Sequence, residues 1–118
     1  MSLSKIMADR MMLDIRALLL SLEFTNFALQ KKERDLKYKG KQVLEAAKED
    51  IQNFAEDSIM ADNLSTYYGY SIDKERVKFT EVVEKIENGL FDNARSMIDD
   101  LNKQIEEKLS ENPRERVT

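Results

Sequence analysis

The chain contains no cysteine, no histidine and no tryptophan, and it has one proline and three glycines in 118 residues. Without cysteine there is no disulfide and no thiol nucleophile. Without histidine there is no imidazole acid-base catalyst, no phosphohistidine relay and no zinc site built on nitrogen or sulfur ligands. A ferritin-like di-iron centre is excluded as well, because its Glu-x-x-His pairs need histidine. Scarce Gly and Pro leave a turn-rich sandwich or barrel without its punctuation, whereas long helices need none. Neither a glycine-rich phosphate loop nor a nucleophile elbow occurs. Long apolar runs are missing too. The most apolar stretch, Met11 to Leu22, is interrupted by Asp14 and Arg16 and falls short of the roughly 20 residues of a membrane span. It also lacks the layout of a signal peptide, so the expected compartment is the cytoplasm, with no membrane partner.

What is present is a mixture: 36% charged residues, 42% hydrophobic residues and a net charge of -4. That balance suits a folded domain better than a disordered chain or a polyanion. The expected class is all-α, an antiparallel four-helix bundle with a long N-terminal helix, dimeric, in one domain over residues 4–110 with a frayed tail over 111–118. The opening Met1-Ser2-Leu3 reads as a vector-derived extension and is set aside. Abundant Lys, Glu, Ile and Asn suggest a prokaryotic or phage origin.

The first segment, Ser4 to Tyr38, has no Gly or Pro and is expected as one helix, with a break near Ser21 to Asn26 as the alternative. It carries two apolar stripes. Ile6, Leu13, Ala17, Leu20, Phe24 and Phe27 recur at spacings of seven, four, three, four and three, the seam pattern of a packed helix. Met7, Met11, Ile15, Leu18, Leu22, Leu29 and Leu36 form a second stripe on nearly the opposite side. A helix apolar on two faces needs cover on both, and a second copy of the chain is the simplest cover for the outer one. Met11, Ile15, Leu18, Leu22 and Leu29 are taken as the interface of a homodimer, with the opposite stripe as the alternative.

Gly40 is expected to cap the first helix and begin a turn. A second helix then runs from Gln42 to Ala61, burying Leu44, Ala47, Ile51 and Phe54. The connection from Asp62 to Ile72 is read as a loop. Its Tyr67, Tyr68 and Tyr70 form a possible partner-binding loop, because tyrosine is a rigid amphipathic contact residue; the plainer alternative is rings capping the bundle end. A third helix begins near Asp73 and aligns Phe79, Val82, Val83, Ile86 and Leu90 on one face, with Ile72 just ahead of it, and Asn88-Gly89 stops it. The fourth, Leu90 to Ser110, aligns Phe91, Ala94, Met97, Ile98, Leu101, Ile105 and Leu109, and Pro113 lies beyond its end.

Two clusters could carry chemistry. From Lys31 to Lys41 six basic residues (Lys31, Lys32, Arg34, Lys37, Lys39, Lys41) face two acidic ones, Glu33 and Asp35. A nucleic-acid regulator would use such a segment. A turn at Gly40 would instead bring Lys31 and Lys32 to Glu49 and Asp50, neutralising them, so nucleic acid is not the favoured partner. Glu81, Glu84 and Glu87 repeat at spacing three, as carboxylates that hold Mg²⁺ or Mn²⁺ do. This row resembles the ExxE half of the pattern in all-α nucleotide pyrophosphohydrolases of the MazG and dimeric dUTPase type. The resemblance implies a metal-dependent nucleotide hydrolase, although no ExxD occurs in the chain. The leading expectation is a non-enzymatic protein, without cofactor or metal, that acts by self-association and by binding another protein.

Overall fold

The computed structural model describes residues 2–111. Five helices follow one another: α1 (Leu3–Leu29), α2 (Arg34–Glu56), α3 (Ser58–Tyr68), α4 (Ile72–Glu87) and α5 (Phe91–Glu111). No strand occurs among the described residues, so the class is all-α, with five helices where four were expected. The expected tail over 111–118 lies outside the described residues apart from Glu111, which closes α5. The body measures 48 × 25 × 23 Å. At 1.5 Å per residue α1 is about 40 Å long and runs most of that length.

The long first segment breaks, but neither at Ser21 to Asn26 nor at Gly40. It ends at Leu29 because Gln30 and Lys31 satisfy the last carbonyls without a glycine. The Gln30 N–H reaches the Phe27 carbonyl and the Lys31 N–H the Ala28 carbonyl, both at 3.2 Å. The Gln30 side-chain amide donates to the Asn26 carbonyl at 2.8 Å. Two cations, Lys31 and Lys32, follow this end, and Asp35 lies in the first turn of α2. Lys31, Lys32 and Asp35 therefore meet favourable ends of helix dipoles. At the other end Ser2 is the N-cap: its hydroxyl accepts from the Lys5 N–H and bonds the Tyr67 hydroxyl, both at 3.1 Å. Ser2 and Leu3, set aside as an extension, thus belong to α1.

Gly40 is buried within α2, not a cap. A Cβ placed there would meet the Ala28 Cβ at 2.9 Å, and the Gly40 carbonyl accepts from the Thr25 hydroxyl at 3.3 Å. The glycine is a close-approach position between α1 and α2. A single residue, Asp57, then separates α2 from α3, its carboxylate accepting from the Met60 N–H at 3.0 Å as an N-cap. The expected loop over Asp62 to Ile72 is largely helix, because burial of Leu64 and Tyr68 outweighs the modest propensity of Ser and Tyr. Its actual stop is Gly69, left-handed at φ 60°, with the Tyr70 N–H returning to the Leu64 carbonyl at 3.2 Å. Ser71, two residues before Asp73, is the N-cap of α4. Gly89 at φ 75° ends α4 in the same way, where the sequence places it.

The core gathers Ile15, Leu19 and Leu22 of α1, Leu44 and Ile51 of α2, Leu64 and Tyr68 of α3, Phe79, Val82 and Ile86 of α4, and Ile98, Leu101 and Ile105 of α5. Gly40→Ala is expected to destabilise the fold by about 1 kcal/mol, since overpacking against the rigid Ala28 exceeds the gain in helix propensity. Urea unfolding of both single variants and the Ala28→Gly/Gly40→Ala double variant should give a favourable coupling of about 1 kcal/mol. A Gly40→Ala protein more stable than wild type would contradict the close approach.

Candidate interaction surface

The two stripes of α1 part company in the structure. Met11, Ile15, Leu18 and Leu22 are buried in the chain's own core, and Leu29 is half-buried against it. The four buried ones face the other helices of this chain and have no free surface for a second copy. The opposite stripe stays in the open. Ile6 is 48% exposed, Leu13 54%, Leu20 56% and Phe27 48%, with Phe24 at 39% and Ala17 also exposed. The four most exposed lie seven residues apart, while Ala8, Ile15 and Leu22 on the far side are fully buried. The outer stripe is flanked by α5, to which Arg16 is tied by a 2.7 Å ion pair with Glu106. Glu23, near Phe27 and Arg95, has no ion pair among the described residues.

The basic segment takes a different form from the one expected. Because the chain reverses at residues 30–33, Lys31 and Lys32 occupy the turn, and Glu49 and Asp50 lie several turns away along α2. All six cations are exposed, and no ion pair within 4 Å joins any of them to the described residues. Lys31 sits over the Phe27 ring at 4.2 Å. Arg34 and Lys37 occupy the first turns of α2, where the dipole disfavours cations.

Glu81, Glu84 and Glu87 are exposed on α4. Glu87 accepts from Lys48 at 2.8 Å across to α2, a bond that raises the Lys48 pKa against the opposing effect of partial desolvation. Glu84 and Glu87 border a groove of about 520 Å³ between α2 and α4, floored by Ile51, Ala55 and Val83. No group of three acidic, His or Cys side chains that could hold a metal occurs among the described residues.

The tyrosines do not form an exposed loop. Tyr68 and Tyr70 are buried in the core and Tyr67 is half-buried. The Tyr68 hydroxyl donates to Asp9, which also holds the buried Lys5 ammonium; this joins α3 to the start of α1. Tyr70 lies at the α3–α4 corner with no partner for its hydroxyl among the described residues, and burial followed by the charge of Glu75 pushes its pKa up. Glu75 is itself buried: one carboxylate oxygen accepts from Gln104 at 3.2 Å and Lys78 at 3.4 Å, and the other has no partner among the described residues. Sequence reasoning missed Glu75, whose only signal is its place on the apolar side of α4 beside Ile72 and Phe79.

Among the described residues no helix is long and apolar enough to cross a membrane. No protein-family model, curated protein or solved structure matches the chain.

Two outcomes follow from these environments. Tyr70 has a folded pKa above its unfolded value near 10, so its contribution to stability is whole below about pH 10 and falls as pH rises beyond it. Thermal unfolding from pH 7 to pH 11 should therefore show a shallower alkaline loss for Tyr70→Phe than for wild type. Near neutrality that variant should equal or exceed wild type by up to about 1 kcal/mol, because a buried hydroxyl without a partner is removed. Glu84→Gln should change stability by no more than about 0.5 kcal/mol, as surface positions do, and Mn²⁺ should leave the melting temperature of both proteins unmoved. A manganese-dependent rise lost in Glu84→Gln would revive the metal reading.

Proposed function

We propose that the protein acts without catalysis, as a small interaction protein that pairs with a second copy through the outer face of α1 and, as that homodimer, engages another protein. The observation that carries this reading is the outer stripe from Ile6 to Phe27, five large apolar side chains each exposed by 39% to 56%. Together they present on the order of 500 Å², the upper range for a patch on a monomer. Doubled across two copies this approaches the roughly 1,000 Å² that a specific interface needs before its polar rim is added. A continuous stripe along one helix is also self-complementary, as a two-fold interface requires. The hydrolase alternative receives no comparable support, since Glu81, Glu84 and Glu87 lack the second carboxylate pair that its resemblance calls for.

A second reading is supported by one observation, the six unpaired cations around the α1–α2 turn. Binding of a polyanion there, such as a nucleic-acid backbone, would weaken steeply with salt. It is opposed by the charge of -8 on the other residues, given the chain's net -4 and the segment's +4.

Light scattering at micromolar concentration should give twice the chain mass for wild type. Leu20→Glu should yield a folded monomer with nearly unchanged helicity, because the new charge disrupts only the outer face. Leu18→Glu should instead unfold the chain, because it buries an unpaired carboxylate in the core at a cost of several kcal/mol. A wild-type monomer at about 100 μM, a concentration at which a weak specific dimer would still be populated, would refute the reading.

A further inference from the structure

The outer stripe of α1 obeys a heptad. Ile6, Leu13, Leu20 and Phe27 occupy one core position, and Leu3, Arg10, Ala17 and Phe24 the other, three residues earlier in each repeat. All eight are exposed, and the far side of the heptad, Ala8, Ile15 and Leu22, is buried. Edge positions carry Asp9, Arg16 and Glu23 on one side and Met7, Asp14 and Ser21 on the other. Such a pattern specifies orientation as well as contact, because edge charges select partner direction.

A parallel pair would set Arg10 against the partner's Arg10 within the seam and Asp9 against the partner's Asp14 at its edge. Antiparallel pairing about residue 15 would set Arg16 against the partner's Arg16, Asp14 against the partner's Asp14 and Asp9 against the partner's Glu23. Each arrangement juxtaposes like charges. Shifting the antiparallel axis to the midpoint between Leu18 and Leu19 removes every one of these clashes. Leu13 then meets the partner's Phe24, and Ala17 meets the partner's Leu20, small against large. Arg10 lies against the ring of the partner's Phe27, and Arg16 meets the partner's Glu23 on both sides of the axis. Glu23 has no ion pair within the described residues, and Arg16 is already exposed at the same edge through its bond to Glu106. The two helix dipoles also run in opposite directions.

We infer that two copies pair antiparallel along α1 in this register, with Leu13 against the partner's Phe24 and Arg16 against the partner's Glu23. The inference rests on the proposed self-association and adds its direction and alignment.

The chain has no native cysteine, so introduced thiols report without background. Leu13→Cys and Phe24→Cys are prepared separately, each checked as a reduced dimer by light scattering, then mixed and oxidised. The mixture should form a covalent heterodimer. Neither variant alone should cross-link, since like positions lie 11 residues out of alignment, about 16 Å along the axis and beyond disulfide reach. Glu23→Arg should weaken dimerisation by about five- to ten-fold, as placing like charges opposite one another does, and Arg16→Glu/Glu23→Arg should restore it. Covalent dimers of Leu13→Cys alone would show parallel pairing and overturn the inference while leaving self-association standing. Cross-linking of Phe24→Cys with Ile6→Cys in place of Leu13→Cys, or no cross-link in a proven dimer, would overturn it likewise. A reduced wild-type protein that is monomeric would remove the association itself.

Discussion

The inner face of α1 is the surface on which the rest of the molecule is assembled. Ala8, Ile15 and Leu22 are fully buried at heptad spacing, and α2, α3, α4 and α5 all pack against the helix that carries them. The other helices are one-sided: each shows a single apolar stripe and has nothing to cover it except α1 or a neighbour that α1 positions. The approach of α2 is the tightest of these packings, since Gly40 allows its backbone down onto Ala28. The Lys5–Asp9–Tyr68 cluster then fixes the shorter α3 at the other end of the same helix.

Periodicity made the buried faces readable. Leu44, Ala47 and Ile51 of α2, Phe79, Val82, Val83 and Ile86 of α4, and Ala94, Ile98, Leu101, Ile105 and Leu109 of α5 are buried as their spacing predicts. Boundaries were harder, because glycine marks a true helix end at Gly89 and a false one at Gly40. Gly40 resembles a cap but serves a helix crossing, which depends on a neighbour that no local window contains. The true break at residues 30–33 uses Gln30 and backbone donors, and its visible trace is the change from basic to acidic residues across Lys31-Lys32-Glu33-Arg34-Asp35. Tertiary burial likewise turned an apparent loop into α3.

For the candidate surface, both stripes of α1 were legible as stripes. Which one faces outward was not, because the two are similarly apolar and the choice depends on where α2, α3 and α5 land. Leu18 and Leu20 illustrate the difficulty: neighbouring leucines with equal propensity, one 3% and the other 56% exposed. The tyrosines were misplaced for a related reason. An amphipathic ring suits an interface and a core equally, and only the path of the chain after Gly69 assigns Tyr70 to the core.

The unmatched polar atoms at the α3–α4 corner bear on how the molecule opens. The Tyr70 hydroxyl and one Glu75 oxygen have no partner among the described residues, so exposing this corner to solvent returns two hydrogen bonds to water that the closed form forgoes. Parting α1 from α2 instead breaks the buried Thr25–Gly40 hydrogen bond and opens the close approach of Gly40 to Ala28. Opening at the junction of α3 and α4 is therefore favoured by two polar groups that gain solvent. The outer stripe lies on α1 and on neither of these two helices, so its exposed side chains are carried by a different part of the fold.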